Sequence, residues 1–362
     1  MRTIRITGTG SALPGRIVTN KELEQLVETS DEWIRERTGI AERHVSVGET
    51  VVTLASEAAR KALEQAGKRA EEIDLILVAT CSPEQYLPCC ACQVQADIGA
   101  VNALAFDVNA ACSGFLFALN TADAYLRTGL AENALVIGSE VLSKLVDWKD
   151  RGSCILFGDG AGAVVVERCR TESRAVEYSN ALPETEKGMQ ETAEEKRIPA
   201  AGILGRALHS DGTGGGVLQC GARELTTPYA RTSAAKTDQK QQTDDREHYI
   251  QMDGQEVYRF ATRRVPQCIE EALSDAGLAV PDIDMFVLHQ ANARIIDAVA
   301  KRLHADREKF PTNLERVGNL SSASIPVLLV ELHKQGKLHR GDRIVLAGFG
   351  AGLTIGACVM TW

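Results

Sequence analysis

The sequence lacks several features that would assign it to a specialised class of protein. Only 5% of its 362 residues are aromatic, and no apolar run reaches the roughly 20 residues that span a membrane. Lysine and arginine are outnumbered by acidic residues, 40 to 49. The net charge of −9 gives no general attraction to nucleic acid or to an anionic membrane, although a local basic patch is compatible with it. We therefore expect neither a nucleic-acid partner nor a membrane partner.

A secretory signal is also missing from the sequence as given. The first residues, MRTIRITGTGSALPG, alternate apolar and polar positions and contain no continuous apolar core. We expect a cytoplasmic protein whose ten cysteines are reduced thiols rather than a disulfide framework. Cys89, Cys90 and Cys92 resemble part of a metal cluster, but no second pair of ligands has suitable spacing. No metal or cofactor is predicted.

The 44% of apolar residues is enough for a large core, and its pattern is that of an α/β protein. The segment Ile73 to Ala79 is a short apolar strand of the kind that is covered on both faces. Before it, VVTLASEAARKALEQAGK has helical spacing and ends at a Gly67 cap. Met252 to Gly277 predicts a long helix with a kink at Pro266. Further strands are predicted at Ala134–Gly138, Ala163–Glu167, Met285–Leu288, Ile344–Ala347 and Ile355–Met360.

The second part of the chain repeats the first. Three blocks match at one displacement of 210 positions: IDLILVAT at 73 with IDMFVLHQ at 283, NAACSGFLFAL at 109 with NLSSASIPVLL at 319, and LVIGSE at 135 with VLAGFG at 345. A constant displacement predicts two copies of one α/β unit. We expect an N-terminal half at 1–170, polar insertions with a connecting strand at 171–250, and a C-terminal half at 251–362. The insertions are the polar segments 171–196 and 224–247, read as surface segments.

Three residues at strand ends could carry chemistry. Cys112 follows an apolar run at the start of a predicted helix, where it is either a small core residue or a nucleophile whose thiolate the helix N-terminus favours. His289 ends a predicted strand and is either a core histidine or a hydrogen-bond donor. Asn319 is either a helix cap or a third member of the site. The repeat places all three at the carboxyl ends of related strands, where their side chains can converge.

The glycine-rich segments do not predict a nucleotide site. Gly8, Gly10 and Gly15, after an N-terminal strand, have the wrong spacing for a dinucleotide fingerprint. GDGAGA at Gly158 and GFGAGLTIG at Gly348 precede predicted strands rather than opening helices. Tight turns and close packing account for them better.

A series of motifs in order resembles the β-ketoacyl-acyl-carrier-protein synthase III family, the initiating condensing enzymes of bacterial type II fatty-acid synthesis. The motifs are SDEWIRERTGI, DVNAACSGF, DRGSCILFGDGAGA, MDGQEVYRFA, LHQANARII, GNLSSAS and FGAGLT. The resemblance covers nearly the whole chain apart from the two insertions. It implies a thiolase-like fold, a duplicated five-layer αβαβα core that is normally a homodimer.

The resemblance implies the following chemistry. Cys112 would be acylated by a short acyl-CoA such as acetyl-CoA, with the backbone amides of Cys112 and Ala351 forming an oxyanion hole. Malonyl-acyl-carrier protein would then lose carbon dioxide, and His289 and Asn319 would stabilise the enolate that attacks the acyl group. The products would be 3-oxoacyl-carrier protein, CoA and carbon dioxide.

The binding residues are also implied by the resemblance. Trp33 and Arg151 would sandwich the CoA adenine, Arg37 would contact a CoA phosphate, and Leu87 would close the acyl pocket of the partner subunit. The basic surface for the acidic carrier protein would comprise Arg259, Arg294, Lys301 and Arg302.

The sequence departs from the family pattern at a few positions. Leu87 stands where phenylalanine is common, Leu320 and Ser322 where threonine and alanine are frequent, and Ala351 where a glycine is usual. These departures leave the primer length undecided.

Other functions compatible with the sequence are a secondary-metabolic condensing enzyme or acyltransferase of the same fold, and a cysteine thioester hydrolase. A redox or metal-binding protein based on Cys89, Cys90 and Cys92 is disfavoured.

Overall fold

The computed structural model describes residues 2–170, 202–221 and 248–362. The predicted surface insertions at 171–196 and 224–247 lie outside the described residues.

The described residues alternate strands and helices along the chain. The strands are β1 (Arg2–Ala12), β2 (Ile17–Thr19), β3 (Glu42–His44), β4 (Leu75–Ala79), β5 (Leu104–Val108), β6 (Asn133–Val141), β7 (Asp159–Arg170), β8 (Gly202–Ser210), β9 (Leu218–Gln219), β10 (Gln251–Met252), β11 (Met285–Leu288), β12 (Arg343–Gly350) and β13 (Thr354–Thr361). The helices are α1 (Asn20–Leu23), α2 (Asp31–Thr38), α3 (Val51–Ala66), α4 (Cys90–Ile98), α5 (Gly114–Thr128), α6 (Arg151–Cys154), α7 (Gly254–Ala276), α8 (Ala293–Arg302), α9 (Leu314–Val317) and α10 (Ser324–Lys334).

Two mixed sheets form the frame. The first has strand order β1-β7-β6-β4-β5 and the second β11-β12-β13-β8. The central pairs β4–β5, β4–β6 and β11–β12 are parallel, as predicted, whereas the pairs that include β7, β13 or β8 are antiparallel. A short strand-turn-strand connection allows the antiparallel pairing of β12 with β13.

Five layers result from this frame. Helices α5 and α10 lie between the sheets, where Leu116 and Leu328 share one buried cluster with Leu77 of the first sheet and Leu346 of the second. Helices α3 and α4 cover the outer face of the first sheet, and α7 and α8 cover that of the second. The predicted duplicated αβαβα fold is confirmed. Burial of both sheet faces explains the nearly continuous apolar runs of β4 and β11.

The displacement of 210 positions is visible in the backbone. Gly67 and Gly277 end α3 and α7 with φ of +64° and +65°. Each is followed by a 3₁₀ turn, Ala70–Glu72 or Val280–Asp282. Local signals in the two halves therefore produce the same local structure. The boundaries at 170 and 250 stay a prediction, and the connecting strand expected between them is β8, which pairs with β13.

The predicted strands are present, and several extend beyond the predicted ends. The long helix is α7, with Pro266 inside it. One expectation about glycine is wrong: Gly8 and Gly10 do not follow the first strand but lie inside β1. A Cβ on either would come within 2.2 Å of a carbonyl oxygen of α3, so both permit close packing of helix on strand. Among the described residues, no helix has the length and apolar character needed to cross a bilayer.

Candidate active site

Cys112 lies in a tight turn between a strand and a helix. The 3₁₀ turn Ala111–Ser113 follows β5 and runs directly into α5 at Gly114. Ala111 has a left-handed φ of +47°, and its amide donates to Asn109 Oδ1 at 3.3 Å. This turn brings the Cys112 side chain to the carboxyl edge of the first sheet, as the sequence predicts.

Asn319 is fixed by hydrogen bonds on three sides. Its backbone joins the other half of the molecule, with its N–H donating to Leu156 O at 2.9 Å and its carbonyl accepting from Gly158 N at 3.0 Å. Its side-chain Oδ1 accepts from Ser321 N at 2.9 Å. Because Oδ1 is occupied, Nδ2 is the group that Asn319 can offer as a donor to a ligand.

His289 follows β11, and its amide donates to Ala347 O at 2.8 Å. The side chain is buried, and the ring meets Phe349 edge-on, with centroids 5.6 Å apart and planes at 73°. Burial lowers the pKa of His289 to about 3, so the imidazole is neutral at physiological pH. Within the described residues Nδ1 has no hydrogen-bond partner. A neutral imidazole suits a role as a hydrogen-bond donor rather than as a cation.

Residues Cys112, His289 and Asn319 line one cavity of about 1240 Å³. The thiol comes from the first half and the other two side chains come from the second, so the site exists only where the halves meet. This is the convergence that the repeat predicts.

The expected ionisation of Cys112 is not what the structure gives. The sequence predicts that the helix N-terminus favours the thiolate, but burial raises the pKa of Cys112 to about 12. The negative charge of Glu140 acts in the same direction, while the interaction with the Ser321 side chain lowers the pKa. The resting group is therefore a protonated thiol, and its activation requires a proton acceptor.

Ala351 lies beside the thiol at the end of β12. Ala351 and Cys112 both line a second, more apolar cavity of about 410 Å³. A Cβ at Gly350 would lie 2.6 Å from the Cys112 amide nitrogen, so only glycine allows this close approach. Thr354 Oγ1 lies 3.0 Å from Ala110 O and 3.1 Å from Ala351 O, which ties the two turns together. Close packing thus explains the glycine-rich FGAG segment.

The residues expected to bind CoA lie together. Trp33, on α2, lines the large cavity with Arg37. The Arg151 guanidinium lies 4.8 Å and that of Arg37 5.9 Å from the centre of the Trp33 ring. Arg151 also donates to Glu28 O at 3.1 Å.

The expected carrier-protein residues are spread over two helices. Arg259 and Arg294 line the large cavity. Arg259 pairs with Glu256, and the Arg294 guanidinium lies 5.7 Å from the Tyr258 ring. Lys301 and Arg302 are in the last turn of α8, about 11 Å along the helix from Arg294.

Leu87 does not line either cavity of its own chain. It is 85% exposed, in the loop before α4. In the same region Cys90 is buried in the core at the start of α4, whereas Cys92 is exposed. In the described part of the chain no group of three or more His, Cys, Asp or Glu side chains is placed to hold a metal ion.

Sequence reasoning missed two polar residues next to the thiol, Glu140 and Ser321. Glu140 is a fully buried acid inside β6. Ser321 lies in the turn of the second half, at the position equivalent to Ala111 in the first. The sequence does contain a signal for Glu140. It is the charged residue in the apolar run LVIGSEV, and an acid buried in such a strand normally has polar partners.

The fold, together with the comparisons that follow, defines an acyltransferase of the thiolase-like class. The chain matches the family models "3-Oxoacyl-[acyl-carrier-protein (ACP)] synthase III" over residues 106–181 and its C-terminal counterpart over residues 273–362. It is 44% identical to the β-ketoacyl-[acyl-carrier-protein] synthase III of Clostridium acetobutylicum, over 100% of this chain and 99% of the relative.

Solved structures agree with this match. The 3-oxoacyl-[acyl-carrier-protein] synthase III of Aquifex aeolicus VF5 superposes with a TM-score of 0.83 at 39% identity, covering 99% of this chain and 100% of the other. The priming β-ketosynthase of the R1128 polyketide biosynthetic pathway gives 0.82 at 33% identity, with 99% and 96% covered. The chain belongs to the β-ketoacyl-[acyl-carrier-protein] synthase III family.

Proposed function

We propose that this chain condenses a short acyl-CoA with malonyl-acyl-carrier protein, using Cys112 as the nucleophile and His289 and Asn319 as hydrogen-bond donors. The observation that carries the proposal is the meeting of one thiol, one neutral imidazole and one carboxamide donor in a single cavity. The reaction needs no cofactor, because the thioester itself accepts the electron pair.

The first step is acyl transfer. The Cys112 thiol gives its proton to an acceptor in the site as its sulfur attacks the thioester carbon. The C–S bond to CoA breaks, and CoA leaves as its thiolate, which takes a proton from solvent. The amides of Cys112 and Ala351 stabilise the oxygen on which negative charge develops. The tie through Thr354 supports this role, since it holds Ala351 against the turn that carries the thiol.

The second step is decarboxylative condensation. The malonyl group loses carbon dioxide, and the resulting enolate oxygen receives hydrogen bonds from His289 and from Asn319 Nδ2. The enolate carbon attacks the acyl carbon, the C–S bond to Cys112 breaks, and 3-oxoacyl-carrier protein leaves. A neutral His289 favours this step, because it supplies a donor without adding a buried charge.

The smaller cavity is suited to the acyl group. Besides Cys112, its walls include the apolar side chains of Leu142, Leu145, Phe157 and Ile250. Such walls favour acetyl and similar short hydrocarbon chains over charged acyl groups. The CoA part would lie toward Trp33, Arg37 and Arg151, and the carrier protein on the basic side chains Arg259, Arg294, Lys301 and Arg302.

The homodimer and the cytoplasmic location belong to the same proposal. β5 is an edge strand of the first sheet, and Leu104 on it is 54% exposed. Exposed apolar edges are normally covered. A second copy at this edge would cover Leu104 and would bring the exposed Leu87 to the acyl pocket of its partner.

Intact-protein mass spectrometry tests the proposal. The protein is incubated with a panel of acyl-CoAs and then with malonyl-acyl-carrier protein. We expect an acyl adduct that is absent in Cys112→Ala, and its disappearance as 3-oxoacyl-carrier protein forms. Release of free acid without a carbon–carbon bond would indicate a hydrolase, and transfer only to other acceptors would indicate a different acyltransferase.

A further inference from the structure

Glu140 is a buried carboxylate that joins the two halves next to the nucleophile. It is fully buried in β6. From the first half it accepts hydrogen bonds from Ser82 Oγ at 2.5 Å and Cys81 N at 3.1 Å. From the second half, Ser321 Oγ lies 3.1 Å and Ser322 Oγ 2.9 Å from Oε1. These donors hold the carboxyl group in place and favour its ionised form, whereas burial raises its pKa.

Ser321 connects this carboxylate to the thiol. Its hydroxyl donates to Glu140 Oε1 at 3.1 Å, and Ser321 lines the smaller cavity together with Cys112, whose pKa it influences. Because a hydroxyl can accept one hydrogen bond while it donates another, Ser321 can accept the S–H proton of Cys112 and pass its own proton to Glu140. Ser322 lacks this connection: its Oγ lies 2.8 Å from Ala79 O and 2.9 Å from Glu140.

Electrostatics favours one negative charge shared between the two groups. Burial raises the pKa of both Glu140 and Cys112. The negative charge of Glu140 raises the pKa of Cys112 further. Loss of the thiol proton to solvent would leave two anions in one buried site, which is costly. Transfer of that proton to Glu140 moves the charge to sulfur and keeps the total unchanged.

The other titratable groups facing this site do not compete for the proton. Burial and the charge of Glu140 raise the pKa of Cys81 well above its ordinary value, so this thiol stays protonated. Burial keeps His289 neutral, with a pKa of about 3, so it is a poor proton acceptor.

We propose that Glu140 takes the proton of the Cys112 thiol through the Ser321 hydroxyl during acyl transfer. The S–H proton moves to Ser321 as the Ser321 proton moves to Glu140, and sulfur forms its bond to the acyl carbon. Glu140 holds the proton while the acyl-enzyme exists and returns it by the same path when condensation releases the Cys112 thiolate. The inference rests on the proposed function for its acyl donor.

Ser321→Ala, compared with Ser322→Ala, is the direct test. Alanine fits the backbone at 321, because Ala111 has the same left-handed φ in the equivalent turn. The measurement is the rate of CoA release in a single acylation, without malonyl-carrier protein, over a range of pH. We expect Ser321→Ala to slow acylation about a hundredfold at neutral pH, with the deficit shrinking as pH rises and hydroxide replaces the relay. Ser322→Ala removes one donor to Glu140 but keeps the path from the thiol, so it should slow acylation far less.

Equal rates for the two serine variants and the unmodified protein would overturn the relay, as would an equal slowing of both variants.

Glu140→Gln gives a second measurement if Ser321→Ala does not fold. Loss of the negative charge should move the alkylation of Cys112 by iodoacetamide to lower pH, whereas Asp159→Asn, at another buried carboxylate, should not. An unchanged alkylation profile in Glu140→Gln would also overturn the proposal.

The assay separates the relay from the proposed function. If the unmodified protein acylates Cys112 but never condenses, the proposed function fails and the relay stands. If it condenses and Ser321→Ala acylates equally fast, the relay fails and the function stands.

Discussion

Ala111 and Ser321 adopt the same left-handed backbone conformation, with φ of +47° and +49°, in turns 210 positions apart. The residues that follow them are Cys112 and Ser322. The two halves therefore share the geometry of the turn but not its chemistry. Substitutions at the positions that differ should affect separate steps of the reaction.

His289→Ala and Asn319→Ala should separate the two steps. Each variant keeps the thiol and both backbone amides, so acylation of Cys112 should partly persist. Loss of one donor to the enolate should reduce decarboxylation of malonyl-carrier protein about a hundredfold or more. Release of carbon dioxide, measured beside acyl loading, checks this, and unchanged condensation in both variants would remove their proposed roles.

The buried His289 should make the fold sensitive to acid. Its pKa is lowered to about 3 in the folded protein, against about 6.5 in an unfolded chain. Below about pH 6.5 the unfolded chain binds a proton that the native state does not. The contribution of His289 to the free energy of unfolding is therefore complete above that pH and decreases as pH falls, by up to about 1.4 kcal/mol per pH unit.

Urea unfolding at stepped pH measures this loss. His289→Gln should show a shallower decline than the unmodified protein, because glutamine does not titrate. His339→Gln, at a largely exposed histidine, serves as the control. Identical slopes for His289→Gln and the unmodified protein would contradict the assignment.

Trp33 and Arg37 should govern the apparent affinity for acyl-CoA. Removal of the indole or the guanidinium takes away stacking worth about 1 kcal/mol or more, so KM in the acylation step should rise about fivefold with little change in kcat. Arg35→Ala is the matched control, since Arg35 is on the same helix but pairs with Asp31 at 2.9 Å. Equal KM values for Arg35→Ala and Arg37→Ala would count against a CoA contact.

Gly350→Ala should damage the site through packing alone. The added Cβ would lie 2.6 Å from the Cys112 amide and 3.2 Å from Ala111 Cβ. We expect slower acylation together with about 1–3 kcal/mol of lost stability. Gly212→Ala, where nothing lies within 4 Å of the new Cβ, should change neither quantity. Thermal unfolding and acyl loading together check the pair, and normal acylation by Gly350→Ala would show that the close approach is not needed.

Much of the fold could be predicted because its signals are local or repeated. The cap at Gly67 recurs at Gly277, and apolar runs with a fixed displacement mark the strands of both halves. The convergence of Cys112 with His289 follows from the same repeat, since equivalent strand ends share an edge. The binding residues Trp33 and Arg151 could be named only by resemblance, because 118 positions separate them in sequence and no periodicity links them.

The chemistry of the thiol could not be predicted from its neighbours in sequence. A helix N-terminus favours a thiolate, but Glu140 and burial act across the fold and reverse the outcome for Cys112. Gly8 and Gly10 lie inside β1 rather than after it, and of the two explanations that the sequence allows, a tight turn or close packing, the packing of α3 on β1 is the one that applies. Effects that depend on residues distant in sequence appear only once the halves are assembled.

The two copies carry different side chains at the equivalent catalytic positions, so the proposed activity depends on how the copies are placed relative to each other. Position 79, the counterpart of His289, is an alanine, and position 322, the counterpart of Cys112, is a serine. The thiol therefore comes from one copy and the imidazole from the other, so neither copy could carry the proposed site as a separate unit. A shift of one half relative to the other would abolish the proposed reaction even if each half stayed folded.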